Sequence, residues 1–357
     1  MFNITPAVFA IGSEYQIMFY VSRPAYSWVM VGGREYSDSV CGNLRSAPGM
    51  RRVTVPMTAL DGVGKYTVCV QNIAERASYF TKTASVVRRE YSFSPVPTDR
   101  AIRAYMIGDA HGINAEPISA AKAFGEIDFL ILNGDMADSS FDKSAFVNFY
   151  EVSAALTRGG KPVVYVRGNH EDRGAAAEIL PDYMPVRGGL TYYTFRLGNV
   201  WGIALDCGED KDDSHAEYGG STRFHEYRLA ETEYIESVIA NAAAEYEAPG
   251  VAHRIAIVHI PFMFRQGDPF DIEPEIYTKW SELLSKIGVE IVICAHEHRY
   301  FFLRPGDEHF RLPAPCPVVI GSERGDGYFG GTGFVFGDKI DVHYTTSRGD
   351  TVRKETV

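Results

Sequence analysis

Val163-Val164-Tyr165-Val166-Arg167-Gly168-Asn169-His170-Glu171 passes, within nine residues, from an apolar run to side chains that can ligate a metal or move a proton. A short, unbroken apolar run rich in β-branched residues reads as a strand buried on both faces, the habit of parallel sheets. Four other runs share that form: Ala104 to Ile107, Phe129 to Leu132, Ile255 to Val258 and Ile291 to Ile293. They are followed in turn by Asp109-Ala110-His111, Gly134-Asp135, His259 and His296-Glu297-His298. Ligands of open α/β sheets bind in the crevice beyond the carboxyl ends of the strands. Five strand ends that deliver Asp, Asn and His therefore describe one site, built from residues distant in sequence and adjacent in space.

Outside the five runs, the pattern from about residue 100 alternates strands with helical stretches, at Pro117 to Phe124, Lys143 to Leu156, Arg228 to Ala244 and Pro274 to Ile287. Such alternation indicates βαβ units and a largely parallel sheet, an α/β fold. Leu190 to Phe195 and Val200 to Leu205 read as a hairpin around Gly198-Asn199. Gly208 to Tyr227 is long and polar, and as a loop beyond a strand of this sheet it is expected to border the site. Residues 1–95 differ: short strands such as Tyr15 to Val21, Arg52 to Pro56 and Tyr66 to Val70, with Gly, Ser and Asp turns between them. Leu60-Asp61-Gly62-Val63-Gly64-Lys65-Tyr66 reads as a turn into a tyrosine-corner strand of an immunoglobulin-like or fibronectin type III sandwich. The proline-bearing stretch from Ser92 to Asp99 places the boundary near residue 96, giving domains 1–95 and 96–357.

The 357 residues are 45% hydrophobic, enough to bury a sizeable core, and carry a net charge of −11. That balance disfavours an electrostatic hold on a nucleic-acid backbone, which needs clustered Lys and Arg. Small phosphorylated substrates remain open, because bound metals supply positive charge locally. No stretch has the apolar length of a membrane span, and Met1 to Ser27 lacks the basic start and small-residue cleavage site of a secretory leader. Five cysteines (Cys41, Cys69, Cys207, Cys294 and Cys316) form no C-x-x-C pair, so reduced thiols in a cytoplasmic location are expected, with a Cys41–Cys69 bridge the alternative.

A lone histidine such as His259 is more often a satisfied polar group than a ligand; its company changes the reading. Nitrogen and oxygen donors without thiolate favour Mn, Fe, Zn or Co. In an extended strand end, positions i and i+2 share a side, so Asp109 with His111 and His296 with His298 are each expected to aim a pair into one cleft. Cys294, deeper in its apolar run, reads as core. The five histidines outside the clusters (His215, His225, His253, His309 and His343) are read as surface, and among Arg173, Arg265 and Arg324 the sequence does not choose a phosphate contact.

The clusters D-x-H, G-D-x-x-D, G-N-H-E, H and A-H-x-H, in this order across residues 103–300, resemble the calcineurin-like metallophosphoesterase superfamily. Ala295 stands where the last motif has Gly. The resemblance implies a four-layer αββα sandwich, preceded here by the small all-β sandwich. It implies two metal ions, one held by Asp109, His111, Asp135 and His298, the other by Asp135, Asn169, His259 and His296. It also implies hydrolysis of a phosphomonoester or phosphodiester by a metal-bound hydroxide, with His170 protonating the leaving oxygen and Asp138 orienting His170. The order of domains is similar to that of purple acid phosphatases. Those enzymes need a Tyr where this chain has Asp138 and have no His at the place of His111, so a tyrosinate-coloured site is not expected. The alternatives are a nucleotide-directed phosphodiesterase or nucleotidase, or a binding scaffold that has lost its chemistry.

Overall fold

The five apolar runs form strands Ile102–Ile107, Phe129–Asn133, Pro162–Val166, His253–Val258 and Ile291–Cys294, almost every residue of them buried. The computed structural model describes residues 5–357. The first three strands are parallel neighbours in a ten-stranded sheet, and the last two are parallel neighbours in a six-stranded one. Alternation of side chains gives each sheet an inner face. Ala104, Met106, Ile131 and Val164 of the large sheet share one core with Ala204, Ile255, Ile257 and Ile293 of the smaller. The outer faces are covered by helices, Ala115–Phe124 and Val147–Thr157 on the large sheet, Phe224–Ala240 and Pro274–Ile287 on the smaller. The four layers run helix, sheet, sheet, helix, as the αββα expectation requires.

Helix Pro274–Ile287 shows how sequence sets this packing. It opens on Pro274, whose missing N–H costs nothing in the first turn, and stops at Gly288, which takes φ 74°. Between them Ile276, Tyr277, Trp280, Leu283, Leu284 and Ile287 recur at three- and four-residue steps and are all buried. Trp280 packs on Phe262 and Tyr277, and its truncation to Ala would cost about 3–5 kcal/mol.

Residues 5–95 are all-β apart from one short helix, and they make two layers, but one layer is the end of the large sheet. Ala7–Ile11 runs parallel to Pro162–Val166, with Val8 opposite Pro162, and Glu14–Val21 and Gly49–Pro56 continue outward from it. Ala25–Val31, Lys65–Glu75 and Val87–Ser92 form the covering layer, where Val29 and Val68 share a core with Ile17 and Val55. The boundary near residue 96 thus divides the sequence, whereas the backbone pairing runs across it.

Leu60 to Gly64 is not a turn but the end of helix Met57–Val63, closed by Gly64 at φ 69°. The Tyr66 hydroxyl makes no corner with its own layer; it donates to the carbonyl of Gly159 at 2.7 Å, in the α/β part. All five cysteines are unpaired and Cys294 is buried, as expected for core. His253, read as surface, is buried and donates through Nε2 to the Gly337 carbonyl at 2.9 Å. Among the described residues no helix is long and apolar enough to cross a membrane.

Candidate metal centre

The residues expected as ligands all lie just past the carboxyl ends of their strands, and the two sheets bring these ends to one seam. Asp109 and His111 follow Ile102–Ile107, Asp135 follows Phe129–Asn133 and Asn169 follows Pro162–Val166. From the smaller sheet come His259 after His253–Val258, and His296 and His298 after Ile291–Cys294. Asp109, His111 and His298 bring one ligand atom each within 4.8 Å of one another, as do Asp135, His259 and His296, and His111, Asp135 and His170.

The backbone does this differently from an extended strand end. Asp109, His111, Asp135, His296 and His298 all adopt positive φ, between 45° and 75°. Non-glycine residues avoid this region at a cost of order 1–3 kcal/mol, so packing must hold them there. The i, i+2 convergence is therefore made by tight turns beyond the strands. Gly134, at φ 73°, makes room: a Cβ there would stand 2.6 Å from both Gly168 Cα and His259 Nδ1.

The ligand atoms are oriented by partners behind them. His259 Nδ1 lies 2.7 Å from the Asn133 carbonyl, which can only accept, so Nδ1 carries the hydrogen and Nε2 faces the centre. Asp109 Oδ2 accepts from His296 N at 2.8 Å and from the Ser322 hydroxyl, leaving Oδ1 turned inward. Asp135 Oδ1 accepts from His170 N at 2.9 Å, while Oδ2 sits 3.1 Å from His259 Nε2 and 3.9 Å from His111 Nε2. Glu171, which the sequence reading passed over, is fully buried and accepts from the amides of Asp135 and Gly168, both at 2.8 Å, and of Met136 at 3.1 Å. It ties the Asp135 turn to the Asn169 turn; its place directly after Asn169-His170 in a buried strand-end turn was the available signal.

A protein of this composition gains nothing by burying such a cluster empty of cations. Asp109 Oδ1 and His259 Nε2 are buried without a hydrogen-bond partner, and His111 Nε2 and His298 Nε2 stand 3.0 Å apart. Burial pushes His111 down to about 4 and His296, beside charged His259, down to about 3. Against its burial, His259 is raised to about 10 by Asp135 and Asp109, and His259 in turn outweighs the burial of Asp135 and holds its carboxyl well below the usual range. With no cation bound, the His259 imidazolium supplies the positive charge that Asp135 demands while burial raises Asp109; an ion at Nε2 would take over that role and leave His259 neutral. Neutral imidazoles, inward carboxylate oxygens and an amide oxygen are the donor set for borderline metals, and these residues fit two such ions.

Asp138 and His170 meet, but not as expected. The acceptor for His170 Nδ1 is the main-chain carbonyl of Asp138, at 2.6 Å. The Asp138 carboxylate is 81% exposed and lies 3.4 Å from His111 Nδ1 instead. The reason lies in the turn: Glu171 draws the amides of Met136 and Ala137 inward, and the carbonyl that follows is presented to His170. The loop after Leu205 does border the centre, through Asp210 Oδ2 at 3.5 Å from Asn169 Nδ2. Ala295 is accommodated by a glycine just past strand Ile102–Ile107 of the facing sheet, since a Cβ on Gly108 would lie 2.6 Å from that of Ala295.

A sequence profile of calcineurin-like phosphoesterases matches residues 102–300, more than half of the chain. The chain belongs to the calcineurin-like phosphoesterase family. Beyond the profile, an uncharacterized protein of Mycobacterium tuberculosis is 25% identical over 187 residues, covering 48% of this chain and 34% of its own length. The chain thus spans about a third of the length of the curated relatives it matches. The fold of this calcineurin-like phosphoesterase is similar to that of purple acid phosphatase PPD1 from yellow lupin, Lupinus luteus. The TM-score is 0.62 at 11% identity, over 99% of this chain and 74% of that one. It is also similar to PhoD, with a TM-score of 0.53 at 11% identity, over 100% and 88% of the two chains.

Proposed function

We propose that this chain is a metal-dependent phosphoesterase that cleaves a phosphomonoester or phosphodiester at a dinuclear centre. The observation that carries the reading is the convergence of six strand-end side chains, four of them at positive φ, on a buried carboxylate, Asp135, whose Oδ2 faces three histidines. Asp109, His111, Asp135 and His298 would hold one ion, and Asp135, Asn169, His259 and His296 the other, drawn from Mn, Fe, Zn and Co. Two ions there would supply Lewis acidity toward a phosphoryl oxygen and toward a water.

The chain's own contribution is orientation and a proton. His170 is half-buried, its Nδ1 hydrogen is fixed on the Asp138 carbonyl, and its Nε2 lies 3.8 Å from Asp135 Oδ2. With a second proton on Nε2, the ring would pass that proton to an ester oxygen leaving from the centre, a step worth about 10²–10⁴ in rate. The Asp138 carbonyl holds that ring's tautomer. The substrate is a small phosphorylated molecule rather than a nucleic-acid backbone or membrane, consistent with the net charge of −11, and the unpaired cysteines suit a cytoplasmic location.

The test is a phosphate- and nitrophenol-release screen on chelator-stripped protein given Mn, Zn, Fe or Co in turn, with monoesters and diesters. Activity restored by metal at a stoichiometry near two per chain supports the proposal. Saturable metal binding with no ester cleaved would leave a binding scaffold.

A further inference from the structure

Arg173 follows the Asn169-His170 turn, and all but one of its guanidinium nitrogens are committed to the polar loop after Leu205. Glu209, 1% exposed, grips it with two oxygens, Oε1 to Nε and Oε2 to Nη2, both at 2.9 Å. Asp210 Oδ2 adds a contact to Nη2 at 3.2 Å. The brace is itself anchored. The Tyr218 hydroxyl donates to Asp210 Oδ1 at 3.0 Å, and Lys211 Nζ bonds Asp210 at 3.0 Å and Glu217 at 3.1 Å. What remains is Nη1, which points away from the brace and lies 3.0 Å from His170 Nε2.

A long arginine ordinarily loses rotamer freedom when it binds an anion; here that freedom is already lost to the fold. The brace also removes the attraction at a distance, because Glu209 and Asp210 together outweigh the one guanidinium charge. What survives is a short-range, directed N–H donor beside His170. Arg265 reaches only the Phe310 carbonyl, at 3.4 Å, and Arg167 is taken by Asp172 and Asp206. Among the described residues Arg173 is the arginine hydrogen-bonded to a side chain of the centre.

We infer that Arg173 is the substrate-binding residue that takes a non-bridging oxygen of the phosphoryl group through Nη1, with Glu209 and Asp210 as its positioning residues. This rests on the phosphoesterase reading above. On arrival of the ester, Nη1 passes from His170 Nε2 to the phosphoryl oxygen, and the freed Nε2 lone pair is open to the proton it must carry before it can serve the ester oxygen. No bond other than hydrogen bonds changes in that exchange. The polar loop thereby sets the direction of one donor, and through it the orientation of the phosphoryl group.

The test uses metal-reconstituted enzyme and its Arg173→Ala, Arg173→Lys and Glu209→Gln variants, with nitrophenyl phosphate as substrate and inorganic phosphate as inhibitor. Loss of one charge-assisted hydrogen bond predicts that KM and the phosphate inhibition constant rise about 10–100-fold in Arg173→Ala. Metal content should stay unchanged, and added guanidinium should recover part of the loss. Arg173→Lys should fall between, and Glu209→Gln should raise KM by less than Arg173→Ala. Values of KM and of the phosphate constant within about twofold of wild type, or equal loss of metal in both Arg173 variants, would overturn the assignment. If wild type cleaves no ester, the phosphoesterase reading falls, and calorimetric titration of metal-loaded protein with inorganic phosphate still decides Arg173 by the same comparison.

Discussion

Gly108 and Ala295 face each other across the two sheets, and placing a methyl on the first tests how tightly the seam is set. In Gly108→Ala the new Cβ would lie 2.6 Å from Ala295 Cβ and 2.9 Å from the Asn133 carbonyl oxygen. Both are well inside van der Waals contact, and neither neighbour is the end of a flexible side chain. Overpacking of this kind costs about 1–3 kcal/mol. At roughly 1–1.5 °C per kcal/mol for a chain of 357 residues, Tm should drop by about 1–4 °C. Ala295→Gly alone removes one methyl and should cost about 1 kcal/mol. Combined, the two changes relieve the methyl–methyl contact but not the one to Asn133, so the double variant should recover part of the loss, with a coupling of about 0.5–2 kcal/mol. A second readout follows from the Asn133 carbonyl, which also accepts the His259 Nδ1 hydrogen at 2.7 Å. Displacing it should weaken one metal per chain before the other, measurable by elemental analysis after graded chelation. Strictly additive Tm changes, or a Gly108→Ala protein as stable as wild type, would refute the reasoning.

Three further outcomes are expected. Asp135→Asn should lower occupancy of both metals together, because one carboxylate serves both groups of ligands; elemental analysis showing one metal retained at full occupancy would contradict the bridging role. His170→Ala should leave metal content near wild type while lowering the rate about 10²–10⁴-fold, most for esters with poor leaving groups. Burial, reinforced by the charge of Asp135, raises Glu171 from 4.5 to about 7 in the metal-free protein. The unfolded chain releases that proton first, so this contribution to stability is complete below pH 4.5 and is lost as pH rises to about 7, by about 3 kcal/mol at about 1.4 per pH unit. In urea titrations with chelator, the stability of wild type relative to Glu171→Gln should therefore fall across that window; a difference independent of pH would rule the assignment out.

The centre was legible because its ligands end apolar runs, and such runs announce buried parallel strands whatever their order. What hydrogen bonds to what was less legible. Nothing in the sequence distinguishes Asp138 acting through its carboxylate from Asp138 acting through its carbonyl; the choice is made by Glu171 pulling two amides inward. Spacing brought Asp109 and His111 together correctly but for a wrong reason, since left-handed turns rather than extended backbone aim them. Tyr66 misled because a tyrosine in a short strand after a glycine turn looks the same whether its hydroxyl bonds locally or, as here, to Gly159. The loop after Leu205 was located by polarity, yet the arginine it braces lies outside it, and such pairings across the chain leave no local pattern.

The parallel pairing of Ala7–Ile11 with Pro162–Val166 has a consequence for how the molecule is made. Strand Ala7–Ile11 leaves the ribosome well before this partner and takes its place beside it only after Pro162, opposite Val8, has been synthesised. Until then Ala7–Ile11, fully buried in the finished fold, is an apolar segment with an unfilled ladder edge, a species prone to pair with the wrong chain. Closing so long a loop makes for slow folding. The same arrangement fixes the fate of a truncated protein: without its first 95 residues, Pro162–Val166, the strand that leads to Asn169 and His170, would stand as an open sheet edge. Trimming the chain to its family-matching region would thus trade a short sequence for an aggregating one.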